Sequence, residues 1–263
     1  MEIKQKSCVV LIHGMWSTPT VFDEMKAFFI KLGYQVHTPS LPHHLPKQDM
    51  SEHMLEQLAK VSFEVYVESI LQFVDSLNSR IILVGHSMGG LIAQAVASRR
   101  DCQGLILLSS AAPAGINGWS WSVIRTFGKN FFKFPLWRTT TELSFNNIRY
   151  GVANSQSTAI QEEITQMATY ESGRVTWQLG MWFLYKKPKN FVDFEQTKCP
   201  ILIIGGDQDK ITPIKIQQRL KAKYNQRATL KVIANACHWT VKGRFFETIS
   251  QSINDWLVTN SAN

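Results

Sequence analysis

The chain has 263 residues, with 44% hydrophobic and 18% charged side chains, a balance that suits one domain with a sizeable core and excludes a disordered chain. Its net charge of +8 is compatible with an anionic substrate, an anionic membrane surface or simple solubility. No nucleic-acid recognition motif accompanies that charge, so nucleic acid is not an expected partner. No run of about 18 apolar residues occurs, and the early apolar stretch Cys8–Ile12 is too short for a signal-peptide core, so a cytoplasmic protein is expected. The cysteines, Cys8, Cys102, Cys199 and Cys237, form no CxxC pair. Buried reduced thiols are expected, not a zinc site or a disulfide framework.

In chain order, Ser7–His13 reads as a continuous apolar strand of the kind buried on both faces of a parallel sheet. A helix is expected over Thr18–Leu32, with Ser17 or Thr18 as cap and Gly33 as stop. Tyr34–Thr38 reads as a short strand, and the proline-rich Pro39–Asp49 as loop. There His43 and His44 are read as surface or pocket-rim residues, and His53 as exposed. Val61–Leu77 has helical spacing, Ile81–Gly85 is a buried strand, Met88–Arg99 a helix and Leu105–Ser109 a strand. After Ala112 the strand–helix alternation stops until about Asn190. It returns with strand Ile201–Gly205, helix Pro213–Lys223, strand Ala228–Ala234 and a closing helix Gly243–Val258. The pattern is a parallel sheet with helices on both faces, interrupted once.

The segment Gly85-His86-Ser87-Met88-Gly89 carries the chemistry. A G-x-S-x-G run between a buried strand and an amphipathic helix is what a serine nucleophile needs. The glycines make room for a tight strand-to-helix turn, the hydroxyl projects clear of the sheet, and the helix N-terminus faces the site. Such a serine needs a base, and the base needs an orienting carboxylate. Downstream, the loop after strand Ile201–Gly205 offers Asp207 and Asp209, and His238 is the one histidine that follows them.

With this elbow and the early His13-Gly14-Met15-Trp16, the chain resembles the α/β-hydrolase superfamily, and within it the small bacterial-type esterase- or lipase-like members. The resemblance runs nearly the whole length in motif order and is weakest across residues 113–190. It implies the α/β-hydrolase fold, a mostly parallel sheet flanked by helices. Residues 1–112 and 191–263 would form the core, and 113–190 a helical cap inserted after the strand that follows the elbow helix. It also implies a Ser-His-Asp triad delivered in the order Ser, Asp, His. The family spacing G-x-x-D-x-x-x-P fits Gly206, Asp209 and Pro213, so Asp209 is taken as the acid, Ser87 as nucleophile and His238 as base. Asp207 is left as a turn residue. The family often has a glycine before this histidine, and Cys237 stands there instead. The backbone N–H groups of Met15 and Met88 are implied as the oxyanion hole, with His13 bracing their loop. No cofactor and no metal is implied; His43 and His44 lack further ligands at useful spacing.

The expected cap is rich in aromatic residues, and Arg125, Lys129, Lys133, Arg138, Arg149, Arg174, Lys186, Lys187 and Lys189 outnumber its acids, Glu142, Glu162, Glu163 and Glu171. Arg125, Lys129 and Lys133, interleaved with Trp121, Ile124, Phe131 and Phe132, read as an amphipathic helix with a cationic stripe, although Gly128 and Pro135 oppose one long helix. Two readings stand: a cap with its own aromatic core, or an apolar acyl pocket with a basic rim that meets an anionic membrane surface. Candidate substrate-binding residues are His13, Trp16, Trp119, Trp121 and Trp182. The leading expectation is hydrolysis of a carboxylic, possibly lipid-like, ester through an acyl-enzyme. Thioesterase or amidase activity, a cofactor-free haloperoxidase or lyase on the same fold, and a non-catalytic binding protein stay open.

Overall fold

The computed structural model describes residues 7–131 and 133–261. Its centre is a six-stranded sheet: β1 (Cys8–Ile12), β2 (Gln35–His37), β3 (Ile81–His86), β4 (Gly104–Leu108), and two later strands over Ile201–Gly206 and Ala228–Ile233. Neighbouring strands run parallel throughout, and β1 pairs with β3 from Cys8↔Ile81 to Ile12↔Gly85. The inner strands are apolar along their length, apart from His86 at the end of β3, because both faces are covered. Val9 and Leu11 face a cluster with Phe22, Met25, Phe29 and Trp256, whereas Val10 and Ile12 face one with Tyr66, Ile70 and Leu91.

The helices before the elbow are α1 (Asp23–Lys31), α2 (Glu52–Lys60) and α3 (Phe63–Ser76). α1 is shorter than its sequence suggests. Pro19 opens a separate 3-10 turn, Pro19–Phe22, and neither Ser17 nor Thr18 caps a helix; Thr18 Oγ1 instead meets Thr20 Oγ1 at 2.8 Å. Gly33 does stop α1, with φ +83. α2 was not expected, although Met54, Leu55, Leu58 and Ala59 recur at helical spacing; it buries Leu58 and Ala59, and the Ser51 side chain caps it by accepting from Met54 N–H. α4 (Met88–Ala97) follows the elbow.

Between β4 and the fifth strand of the sheet, residues 113–190 fold as α5 (Trp121–Phe131), the two-residue strand β5 (Thr140–Thr141), the turn α6 (Phe145–Asn147), α7 (Thr158–Met167), β6 (Glu171–Ser172) and α8 (Gly173–Gly180). β5 and β6 pair antiparallel. The sheet then resumes with β7 (Ile201–Gly206), α9 (Ile214–Tyr224), β8 (Ala228–Ile233) and α10 (Phe246–Ser261), giving the order β2-β1-β3-β4-β7-β8. Among the described residues no helix is long and apolar enough to cross a membrane.

The proposed stripe on α5 is shorter than its spacing predicts. The helix ends at Phe131, so Lys133 lies beyond it and donates to Thr140 O at 3.1 Å. The Arg125 guanidinium lies 4.1 Å from the centre of the Tyr150 ring. Phe132 lies outside the described residues, as do the side chains of Lys129 and Phe131.

Candidate active site

β3 runs straight into α4 with a single residue between them. That residue, Ser87, has φ 54 and ψ −121, a left-handed strain that non-glycine residues rarely carry. The surrounding backbone holds it there: Ser87 N–H donates to Leu108 O at 3.0 Å, and its carbonyl accepts from Gly90 and Ala111 N–H. The flanking glycines have a steric reason. A Cβ on Gly85 would come within 2.2 Å of Gly89 O, and one on Gly89 within 2.0 Å of Ile12 O. Only hydrogen fits where the elbow crosses β1.

Asp209 sits on the loop after β7. One oxygen, Oδ1, accepts from the N–H groups of Ile211 and Thr212, both at 2.8 Å. The other, Oδ2, accepts from His238 Nδ1–H at 2.9 Å, and Thr212 Oγ1 lies 2.9 Å from it. Burial opposes the carboxylate's charge, but His238 and the two amides outweigh it and hold the carboxyl below its ordinary range. With Nδ1–H committed to Asp209, the His238 Nε2 is left bare to accept a proton. Asp207 makes a different bond, accepting Asn235 N–H at 2.8 Å from an exposed position, as a turn residue does.

Ser87 and His238 line one small cavity of about 40 Å³ with Met15, Trp16 and His86. Among the described residues no hydrogen bond joins Ser87 to His238, whose ring bonds through Nδ1 to Asp209 and Thr212. A larger apolar cavity of about 140 Å³ adjoins Ser87, lined by Met15 and Met88 and, from 113–190, by Ile116, Trp119, Phe127 and Trp182. The Met15 and Met88 N–H groups have no acceptor among the described residues. The loop carrying Met15 presses on the elbow, since a Cβ on Gly14 would lie 3.0 Å from Ser87 Cβ.

The candidate substrate-binding residues divide. Trp16, Trp119 and Trp182 line the larger cavity. Trp16 is also a structural hub: it stacks on Phe127 with ring centres 4.9 Å apart, and its indole N–H donates to Thr141 Oγ1. His13 lines neither cavity. It is fully buried, with Nε2 accepting Leu41 N–H and Nδ1–H donating to Gly14 O, and burial beside His44 lowers its pKa to about 3. Trp121 also lines neither; it is 85% exposed, on the outer face of α5.

Several residues of the site were not foreseen. Thr212 Oγ1 lies against Asp209, Ser109 O and, at 3.2 Å, His238 Nδ1; its place three residues after Asp209 was the available signal. His86 donates Nε2–H to His238 O at 2.9 Å and packs its ring 5.0 Å from that of His238, and burial lowers its pKa to about 3. His44 is no rim residue. It is buried against Glu171 at 3.1 Å, and Tyr66 donates to the same carboxylate at 2.7 Å, joining 113–190 to the core.

The α/β-hydrolase family model matches residues 9–242. A Mycoplasma pneumoniae protein named for esterase/lipase activity is 23% identical over 252 residues, 94% of this chain and 88% of its own. The monoglyceride lipase of Mus musculus is 24% identical over 220 residues, 77% of this chain and 68% of its own. The crystal structure of Paleococcus ferrophilus monoacylglycerol lipase shares the fold at TM-score 0.70 and 20% identity, over 97% of this chain and 96% of that one. A parallel six-stranded sheet, a strained serine between β3 and α4, and a match over most of the length agree: the chain belongs to the α/β-hydrolase family.

Proposed function

We propose that this protein hydrolyses carboxylic esters with a lipid-like acyl group, using Ser87, His238 and Asp209. The observation that carries the reading is the buried 2.9 Å bond from His238 Nδ1–H to Asp209, with His238 opening on the same cavity as the strained Ser87. His238 Nε2 takes the Ser87 hydroxyl proton as Oγ attacks the acyl carbon. Asp209 holds the imidazole in the productive tautomer and stabilises the imidazolium. The Met15 and Met88 N–H groups receive the developing oxyanion, helped by the positive end of α4. His238 then protonates the leaving alkoxide, and a water activated by the same nitrogen releases the acid.

Residues 113–190 act as a cap in this account, and the apolar cavity beneath them takes the acyl chain. The same segment exposes Trp121, Phe134, Phe183 and Leu184 beside its lysines and arginines, a composition that suits contact with an anionic lipid surface. The test is a panel of p-nitrophenyl esters of increasing acyl length, run beside Ser87→Ala. Burying each added methylene contributes about 0.8 kcal/mol, so kcat/KM rises by up to roughly fourfold per carbon until the cavity is full. Acetate as the best substrate, or turnover that survives in Ser87→Ala, would overturn the proposal.

A further inference from the structure

Cys102 and Cys199 precede adjacent parallel strands. Leu105 pairs with Ile201 across β4 and β7, and Leu105 N–H donates to Pro200 O. Each cysteine lies just before its strand, at the end of the sheet opposite Ser87. Neighbouring strands are spaced by about 4.8 Å, within the Cα separation of roughly 4.4–6.8 Å that a disulfide spans. The side chains point at each other: the two Sγ atoms are 3.0 Å apart although both thiols are free. A disulfide bond is about 2.05 Å long, so closure needs a movement of about 1 Å. Cys199 is buried, but Cys102 is half-buried and lines an open groove with Arg80, Arg100 and Asp101.

From this geometry we infer that Cys102 and Cys199 are an oxidation site that closes to an intramolecular disulfide on exchange with a small-molecule disulfide. The Cys102 thiolate, reached through the groove, attacks one sulfur of oxidised glutathione and releases one glutathione thiolate. The Cys199 thiolate then attacks the Cys102 sulfur of the mixed disulfide and releases the second. The two protein thiols lose two protons and two electrons in all; the oxidant gains both, leaving as two thiols. The Cys199 sulfur and burial push the Cys102 thiol up from its ordinary range, so the exchange accelerates as pH is raised. The bond joins positions 97 residues apart, tying together the two ends of the chain between which residues 113–190 are inserted.

The test uses the whole purified chain, incubated with oxidised glutathione or with dithiothreitol, then acid-quenched, alkylated in denaturant and mapped by mass spectrometry. The reduced chain takes up alkylator at all 4 cysteines. The oxidised chain retains it at Cys8 and Cys237 and yields one cross-linked peptide pair containing Cys102 and Cys199. Closing so long a loop raises the Tm of the oxidised chain by roughly 5–15 °C, and Cys199→Ser, which lacks the second thiol, shows no such rise. Full alkylation of Cys102 and Cys199 after oxidation would overturn the inference. So would a stable glutathione adduct on Cys102 with Cys199 free, or an equal Tm rise in Cys199→Ser.

Discussion

Replacing Glu171 by alanine tests how residues 113–190 are held to His44 and Tyr66 of the flanking chain. The carboxylate is fully buried and accepts from Tyr66 OH at 2.7 Å, Ser172 N–H at 2.6 Å and His44 Nε2 at 3.1 Å. Alanine leaves three buried donors without a partner, at about 1–3 kcal/mol each. Partial relaxation brings the expected loss to about 3–5 kcal/mol, the range for breaking a buried pair by removing one member. In a chain of this size each kcal/mol moves Tm by about 2–4 °C, so a drop of roughly 6–20 °C is expected. Glu171→Gln keeps a carbonyl oxygen for Tyr66 and Ser172 and is expected to lose less than half as much. Urea unfolding followed by tryptophan fluorescence measures both variants. If Glu171→Ala stays within about 1 kcal/mol of the parent, or if glutamine is as damaging as alanine, the network does not hold the segment and the reasoning fails.

Asp209→Asn is expected to lower kcat by about 10⁴-fold, because the imidazole loses its tautomer lock, whereas Asp207→Asn, a turn residue, stays near the parent; esterase assays that reverse this ranking would reassign the acid. Stability is expected to fall on acidification. His13 and His86 titrate at about 3 in the fold against 6.5 ordinarily, so the unfolded chain binds more protons below 6.5. Their combined contribution falls by about 2.7 kcal/mol per pH unit across that window, at about 1.4 per proton. Below about 4 the lowered Asp209 adds to the loss, and urea-unfolding free energies that stay flat from pH 6.5 to 4.5 would contradict this. Trp119→Ala and Trp182→Ala are expected to flatten the rise of kcat/KM with acyl length while sparing acetate esters; a uniform loss at every length would place both side chains outside the acyl site.

The sheet was legible because its inner strands are buried on both faces and therefore read as unbroken apolar runs: Cys8–Ile12, Ile81–Gly85 and Ile201–Gly205. The elbow was legible because its glycines answer to backbone contacts that admit no Cβ. Local spacing failed where tertiary contacts decide. Regular spacing suggested a face running from Trp121 to Lys133, but the helix stops at Phe131 and Trp121 points outward. His44 and Glu171 are 127 positions apart, and Cys102 and Cys199 are 97 apart; nothing local to either partner announces such a meeting. Thr212 and His86 lay inside recognised segments, but their roles depend on side-chain directions that the pattern does not encode.

Whether Ser87 is a nucleophile activated by His238 is decided by active-site labelling. The intact chain is treated with a serine-directed phosphonate, and the labelled peptide is mapped by mass spectrometry in parallel with ester turnover. Stoichiometric label on Ser87 alone is expected, with turnover lost in step with labelling and no label in Ser87→Ala or, on the same timescale, in His238→Ala. Label on a different serine that abolishes turnover, or a fully labelled Ser87 with turnover intact, would contradict that role for Ser87.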